Sequence, residues 1–358
     1  MKNILLCQQR GWLDGAARSL LLLAENLQKD YGLYFWVNEP GPLTQYLKER
    51  GLPVLILSNR PWRQIGYFLA HVLTIIRLVR FCRKNRIRLI LSNTYELVPF
   101  IVWAGRALSV PVISFLRDAI TVEKLEKYKA PALLQLISVS QSIIEAYQQK
   151  YANSAVVHNG VDLQHFIMRP GTLPNEFSLA VFGRLCDRKN QLFALKIFNN
   201  LRSQLDQAFL HFYGEADSLY LDQIMNYIKT HGLAAEVHVH HYIQDPRPAI
   251  QASQIILVPS KSEALPRVIL EAMACGKTVV ASAVGGIKEI LSEPNVGICL
   301  PLESKKWEEV ILDLFHHPQK RQQIGESARR HVSKYFDLRR TNKKILEMIN
   351  HLLSDKMV

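Results

Sequence analysis

Two stretches of the chain carry residue types at spacings that suit chemistry. In residues 259–277, PSKSEALPRVILEAMACGK, Glu263 and Glu271 stand eight positions apart. The pattern predicts a strand ending at Pro259, a polar loop carrying Glu263, and an apolar helix from about Pro266 through Met273 that carries Glu271. The start of that helix, with the backbone N–H groups of Ala264 and Leu265, suits an anion. A carboxylate set among Val268, Ile269, Leu270, Ala272 and Met273 needs a partner, either the vicinal hydroxyls of a sugar or simply an Arg or Lys. The second stretch is GRLCDRKN, residues 183–190, read as a loop leading into a helix. Arg184 and Lys189 can converge there on one diphosphate, the Arg as a planar fork and the Lys as a point charge. Downstream, Gly285 and Gly286 fall between a strand and a helix, where backbones can approach closely.

Other chemistries are disfavoured by what is missing. The loop after the first strand reads QQRGWLDG and lacks the G-x-G-x-x-G of a dinucleotide site. Gly276-Lys277-Thr278 imitates the end of a P-loop, but Glu271 stands where the first glycine is required and Thr278 opens a strand. No D-x-D pair occurs, so paired Asp carboxylates holding a divalent ion on a diphosphate are not visible, and no metal is expected. His238 and His240 can share one face of a strand, yet two imidazoles without a third ligand are read as ordinary packing rather than a metal site. No helix-turn-helix, zinc-finger or RNP pattern supports nucleic-acid binding.

These loops must be held by a scaffold, and the scaffold is readable. The chain has 358 residues, with 48% hydrophobic and 21% charged, which suits two globular domains. Its five cysteines are scattered and never in C-x-x-C spacing, and the start has no secretory core, so a reducing, cytoplasmic location is expected. Short apolar runs alternate with helical stretches, the pattern of βα units on parallel sheets. Strands are expected at 3–7, 33–37, 54–57, 89–92, 112–115, 136–138 and 155–158, then at 178–182, 209–213, 237–240, 255–259, 278–281 and 297–300. Helices are expected at 16–29, 43–50, 66–85, 140–151 and 191–205, with helices again from 305 to 353, the last beginning near Leu338. The Pro/Gly-rich segment 168–175 reads as the linker between two doubly wound α/β domains. Ligands of such a fold sit at the carboxyl ends of the strands.

Charge is uneven. The net charge is +13, and residues 1–170 hold 21 Lys/Arg against 11 Asp/Glu. The stretch Arg60–Arg88 holds eight Lys/Arg and no acid, with Trp62, Tyr67, Phe68 and Phe81 interspersed. Its longest uncharged run, Gln64–Ile76, is 13 residues, too short for a span that needs about 20. A helix lying in the headgroup plane of an anionic membrane fits it, and so does a core helix covering the sheet.

The second half resembles the nucleotide-sugar-binding domain of retaining GT-B glycosyltransferases of family four. The marks are Gly183/Arg184/Lys189 as G-R-x4-K, Gly214, Glu263/Glu271 as E-x7-E followed by Ala272-Met273-Ala274-Cys275-Gly276, and Gly285/Gly286. The first half is similar more loosely, through Asp14-Gly15-Ala16-Ala17-Arg18 and the closing Asn159-Gly160-Val161-Asp162. The resemblance implies two Rossmann-like domains facing across a cleft, 1–168 for the acceptor and 176–337 for the donor, with 338–358 returning to the first. It implies a UDP- or GDP-linked sugar as donor substrate rather than a bound cofactor, and a glycan or lipid-linked acceptor. Transfer would proceed with retention and without metal. Arg184 and Lys189 would neutralise the leaving diphosphate, the Gly15 loop with Asp14 would meet it, and Gly183 and Gly214 would lie along the nucleotide. Glu263 would meet donor-sugar hydroxyls beside the backbone of Ala264, Leu265, Pro266 and Arg267, and Glu271 would hold the ribose diol. Where relatives carry a His in the first domain, this chain offers Arg117 and Asp118, and Asn159 of the closing motif would also bind substrate. An epimerase or hydrolase of the same fold, or a non-catalytic nucleotide-sugar binder, are the other readings.

Overall fold

The structure is a computed structural model and describes residues 1–58, 68–118, 134–145, 153–169 and 176–354. Two compact units divide it, one formed by Met1–Asn159 with Thr341–Val358 and the other by Gly160–Arg340. The first carries a seven-stranded parallel sheet of β1 (Lys2–Gln8), β2 (Tyr31–Val37), β3 (Val54–Ile56), β4 (Ile87–Ser92), β5 (Val112–Leu116), β6 (Leu134–Ser138) and β7 (Ser154–Val156). Their spatial order is β3-β2-β1-β4-β5-β6-β7. The second carries β8 (Phe177–Phe182), β9 (Ala208–Tyr213), β10 (Val237–His240), β11 (Ile255–Val258), β12 (Thr278–Ser282) and β13 (Ile298–Leu300), in the order β10-β9-β8-β11-β12-β13. Each sheet therefore shows the doubly wound 3-2-1-4-5-6 order, with switch points between β1 and β4 and between β8 and β11. The fold class expected from the sequence is the one observed.

Apolar runs formed the strands because parallel sheets are covered on both faces. Ile4, Leu5, Leu6 and Cys7 of β1 are all fully buried. The helix Gly15–Leu27 lays Leu20, Leu23 and Leu27 on that sheet. The last helix, Leu338–Ser354, returns to the first unit, where Ile345 and Ile349 join the same core and Asn350 accepts from the Tyr31 hydroxyl. In the second unit Phe198, Phe212, Trp307 and Ile311 centre the core.

Two sequence expectations shift. The boundary falls after Asn159 rather than at Met168, because Val161 pairs with Asp337 and Phe166 is buried against the second unit, where its carbonyl accepts from Arg329 at 2.7 Å. The expected linker lies largely outside the described residues. Helices Val98–Leu108 and Ser218–Thr230 were not read from the sequence. Pro99 and Gly105 look like breakers, but Pro99 stands in the first turn, where its missing N–H costs nothing.

The expected pairing of His238 and His240 on one face holds, and His211, the register partner of His238, joins them. Ring centroids of His211 lie 5.1 Å from His238 and 5.4 Å from His240, and Tyr213 stacks on His240 at 4.3 Å. Among the described residues no group of three or more His, Cys, Asp or Glu is arranged to hold a metal ion. Burial, reinforced by its two imidazole neighbours, pushes His211 down to about 4. An unfolded histidine titrates near 6.5, so the unfolded chain takes up the proton first, and stability falls as pH drops from about 6.5 to 4. Replacing His211 with Phe keeps a ring in the stack and removes that titration. Melting temperatures at pH 7 and pH 4.5 should then differ less for H211F than for the wild type, and an equal drop in both would refute the assignment.

Candidate active site

In the second unit the site residues gather beyond the carboxyl ends of the strands, at the β8/β11 switch point. Gly183 follows β8 directly, with its N–H bonded to the Tyr213 carbonyl at 2.9 Å. A Cβ on Gly214 would lie 2.2 Å from the Gly183 carbonyl oxygen, so the two loops nest backbone to backbone. Lys189 runs back over Gly183, its Cε 3.3 Å from where a Cβ would stand. The Lys189 ammonium meets Glu263 Oε1 at 2.5 Å, and the Ser260 hydroxyl donates to the same oxygen at 2.7 Å. Arg188 stands 3.4 Å from the other oxygen, Oε2.

Burial raises the cost of ionising Glu263, yet Lys189, Arg188 and the Ser260 hydroxyl outweigh it and hold its carboxyl below the usual range. The Glu263 loop is braced from behind by the glycine pair. A Cβ on Gly285 would lie 1.9 Å from the Glu263 carbonyl oxygen, and one on Gly286 would lie 1.9 Å from that of Ala264. Ala264 and Leu265 are buried, and Pro266 leads into the helix Arg267–Ala274.

Arg184 does not share the Lys189 partner. Its guanidinium pairs with Asp217 in an exposed ion pair. Both cations expected on a diphosphate are thus matched with carboxylates of the protein. Glu271, only 7% exposed, pairs with Arg267 one helical turn earlier at 3.3 Å, the Arg partner that the sequence left open beside a diol. Arg267 also reaches the Gly160 carbonyl at 3.4 Å.

The first unit has a polar network at its own switch point. Arg117 Nε donates to Asn93 Oδ1 and its NH1 to Asn159 Oδ1, both at 2.7 Å, while the guanidinium lies 4.5 Å over the Phe115 ring. Asn93 in turn donates to Gln8 Oε1 at 2.7 Å and to the Ala16 carbonyl at 2.9 Å. Asp14 caps the helix Gly15–Leu27, accepting from the Ala17 N–H at 2.9 Å. Asp118 is exposed, and its charge adds to burial in raising Glu96 above the usual carboxylate range.

Sequence comparison supplies the family. Residues 166–331 match the glycosyl transferases group 1 family, and residues 13–165 match glycosyltransferase family 4. The chain belongs to glycosyltransferase family 4. It is 25% identical over 316 residues to a D-inositol 3-phosphate glycosyltransferase of Paenarthrobacter aurescens, covering 76% of this chain and 77% of that one. Its fold matches that of HepE of Anabaena, solved in complex with UDP and glucose, with a TM-score of 0.86 at 23% identity, over 98% of this chain and all of the other. WaaG, a glycosyltransferase involved in lipopolysaccharide biosynthesis, matches with a TM-score of 0.75 at 15% identity, over 97% of this chain and 99% of that one.

Several participants in this family-4 chain escaped the sequence reading. Ser260 and Asp217 are short polar residues with no spacing signal of their own. Gln8 and Asn93 are buried amides at strand ends, 1% and 0% exposed, and only the pairing of β1 with β4 makes them neighbours. Arg188 lies inside the GRLCDRKN motif, but its partner Glu263 is 75 positions away and no local spacing points to it.

Proposed function

We propose that this protein transfers a sugar from a nucleoside-diphosphate sugar, UDP- or GDP-linked, to a hydroxyl of a glycan or lipid-linked acceptor, with retention and without a metal ion. The observation that carries this reading is the buried Lys189–Glu263 pair set between the Gly183 loop and the Gly285/Gly286 brace. The pair puts an ammonium and a carboxylate side by side next to the Gly183 loop, a cation for a leaving diphosphate and an acceptor for sugar hydroxyls. As the anomeric C–O bond breaks, the diphosphate gains negative charge, and Lys189 and Arg184 favour that state over the ground state. Glu263 then offers its oxygens to sugar hydroxyls, and Glu271 to the ribose diol. In the first unit, the Gly15 loop with Asp14 and the Arg117–Asn159 pair serve the acceptor. The UDP complexes of HepE support a nucleotide donor, and the involvement of WaaG in lipopolysaccharide biosynthesis supports a role in envelope or polysaccharide synthesis.

A panel of nucleoside diphosphates tests the donor by thermal stabilisation, since a ligand at a hundred times its Kd adds about 2.7 kcal/mol. Stabilisation by none of them would overturn the reading. Product formation should require an acceptor, whereas an epimerase or hydrolase turns over with donor alone. Turnover should persist in excess EDTA, and the new linkage should keep the donor's anomeric configuration by NMR. Loss of activity to EDTA with rescue by Mg²⁺ or Mn²⁺ would refute the metal-free assignment, and an inverted linkage would refute retention.

We further propose that the first unit docks on an anionic membrane surface, on the cytoplasmic side. Of the basic stretch, residues 60–67 lie outside the described residues. The helix Phe68–Lys84 turns His71, Leu78 and Cys82 inward and leaves Leu69, Leu73 and Ile76 at 76%, 53% and 40% exposure. Exposed Arg77, Arg80, Arg83 and Lys84 continue beyond them. Phe81, counted among the interfacial aromatics in the sequence, instead packs on Tyr34 at 6.0 Å. Among the described residues no helix is long and apolar enough to cross a membrane. Exposed leucines beside a basic row fit the headgroup boundary, each cation adding about 1 kcal/mol. Co-sedimentation with anionic vesicles should fade with salt and fall sharply when Arg77, Arg80, Arg83 and Lys84 become Gln. Equal failure to bind neutral and anionic vesicles would remove the membrane role.

A further inference from the structure

We propose that Arg188 is a positioning residue that takes over the charge of Glu263 when Lys189 leaves it for the donor diphosphate. The inference rests on the donor reading above and adds a step to it. Lys189 carries one ammonium, committed to Glu263 Oε1 at 2.5 Å with its side chain only 15% exposed. It cannot give a diphosphate its full charge while it stays there. Glu263 is buried, at 6% side-chain exposure, and the Ser260 hydroxyl is a neutral partner on that same Oε1. Gly285 and Gly286 press on the loop backbone and bring no charge. Once Lys189 departs, a buried carboxylate with no cation would take up a proton and lose half its capacity to accept sugar hydroxyls.

Arg188 is placed to prevent this. Its NH1 already faces Oε2, the oxygen that Lys189 and Ser260 do not use, at 3.4 Å. The same NH1 donates to the Ser262 carbonyl at 3.1 Å, while the Arg188 carbonyl accepts from the Lys261 N–H at 2.8 Å. Lys261 closes a second staple by pairing with Asp187 at 2.5 Å. Arg188 therefore travels with the Glu263 loop. At 49% exposure its guanidinium has room to close the remaining gap. The two cations occupy the two oxygens, so one can leave while the carboxylate stays ionised.

The test is calorimetric titration of UDP-glucose, and in parallel GDP-mannose, at pH 7 in two buffers of different ionisation enthalpy. Neither ligand's diphosphate titrates near neutrality, so proton uptake on binding reports the protein. Wild type should bind with almost no net proton. R188Q should bind about tenfold more weakly and take up roughly half a proton or more, as a buried, unpaired Glu does. The acid limb of its kcat profile should shift to higher pH. R188K should restore the proton balance, which a loss of packing alone would not predict. R188Q binding donor with wild-type proton stoichiometry overturns the exchange and leaves the donor site standing. Failure of wild type to bind either nucleotide sugar overturns the donor reading and the exchange together.

Discussion

Removing the Lys189 ammonium is expected to damage catalysis and stability together, while removing the Arg184 guanidinium damages catalysis alone. On the proposed donor reading, each variant loses one charge-assisted contact to the diphosphate, roughly 1.5–3 kcal/mol, or about ten- to a hundredfold in turnover. The difference lies in the resting partners. Arg184 and Asp217 are 56% and 44% exposed, and such pairs add little to folding. Lys189 serves a carboxylate at 6% exposure, so K189A strands a buried charge on a half-exposed Arg188 and should cost about 2–4 kcal/mol. Steady-state kinetics with chemical denaturation on both variants checks this. Wild-type turnover in both would remove the diphosphate assignment, and equal stability loss would show the burial argument to be wrong.

The Gly285→Ala substitution should be as harmful as deleting a catalytic group, although it removes no functional atom. Gly285 sits at φ +48, and a methyl group there would stand 1.9 Å from the Glu263 carbonyl oxygen. The loop that carries Glu263 must move, and a displacement of about 1 Å at a reacting centre can cost a hundredfold. A stability loss of about 2–4 kcal/mol should accompany it. Gly51 separates the two components: its φ is +67 but nothing lies within 4 Å of a Cβ there. G51A pays only the left-handed backbone, about 1–2 kcal/mol, and should keep full turnover. If G285A keeps activity, the glycine pair is not what holds the Glu263 loop.

Much of this site was legible in the sequence because its parts are local. Lys189 lies five positions beyond Arg184 on one loop, and Glu263 precedes a helix whose start is marked by Pro266. Strand positions were legible for a related reason, since parallel strands buried on both faces read as unbroken apolar runs. What escaped was set by pairing across distance. That Lys189 rests on Glu263, 74 positions away, follows from β8 lying next to β11. The stacking of His211 on His238 depends on strand register, and the Gln8–Asn93–Arg117 chain depends on the order β1-β4-β5. The interfacial side of the basic helix was misjudged at Phe81 because a composition count cannot say which face turns toward Tyr34.

The return of the last helix has a consequence for how the chain is made. The second unit is an insertion: Val161 and Asp337 bridge, and the Leu338 N–H bonds back to the Val161 carbonyl at 3.0 Å, so its two ends emerge side by side. On a ribosome the inserted unit is complete before the first unit has received Ile345 and Ile349, the closing apolar residues of its core. The half that begins synthesis is therefore the half that finishes folding last, the reverse of the usual N-to-C order. A nascent or truncated chain ending near Arg340 would present a finished second unit joined to a first unit whose core lacks Ile345 and Ile349, and it is the first unit that chaperones and proteases would meet.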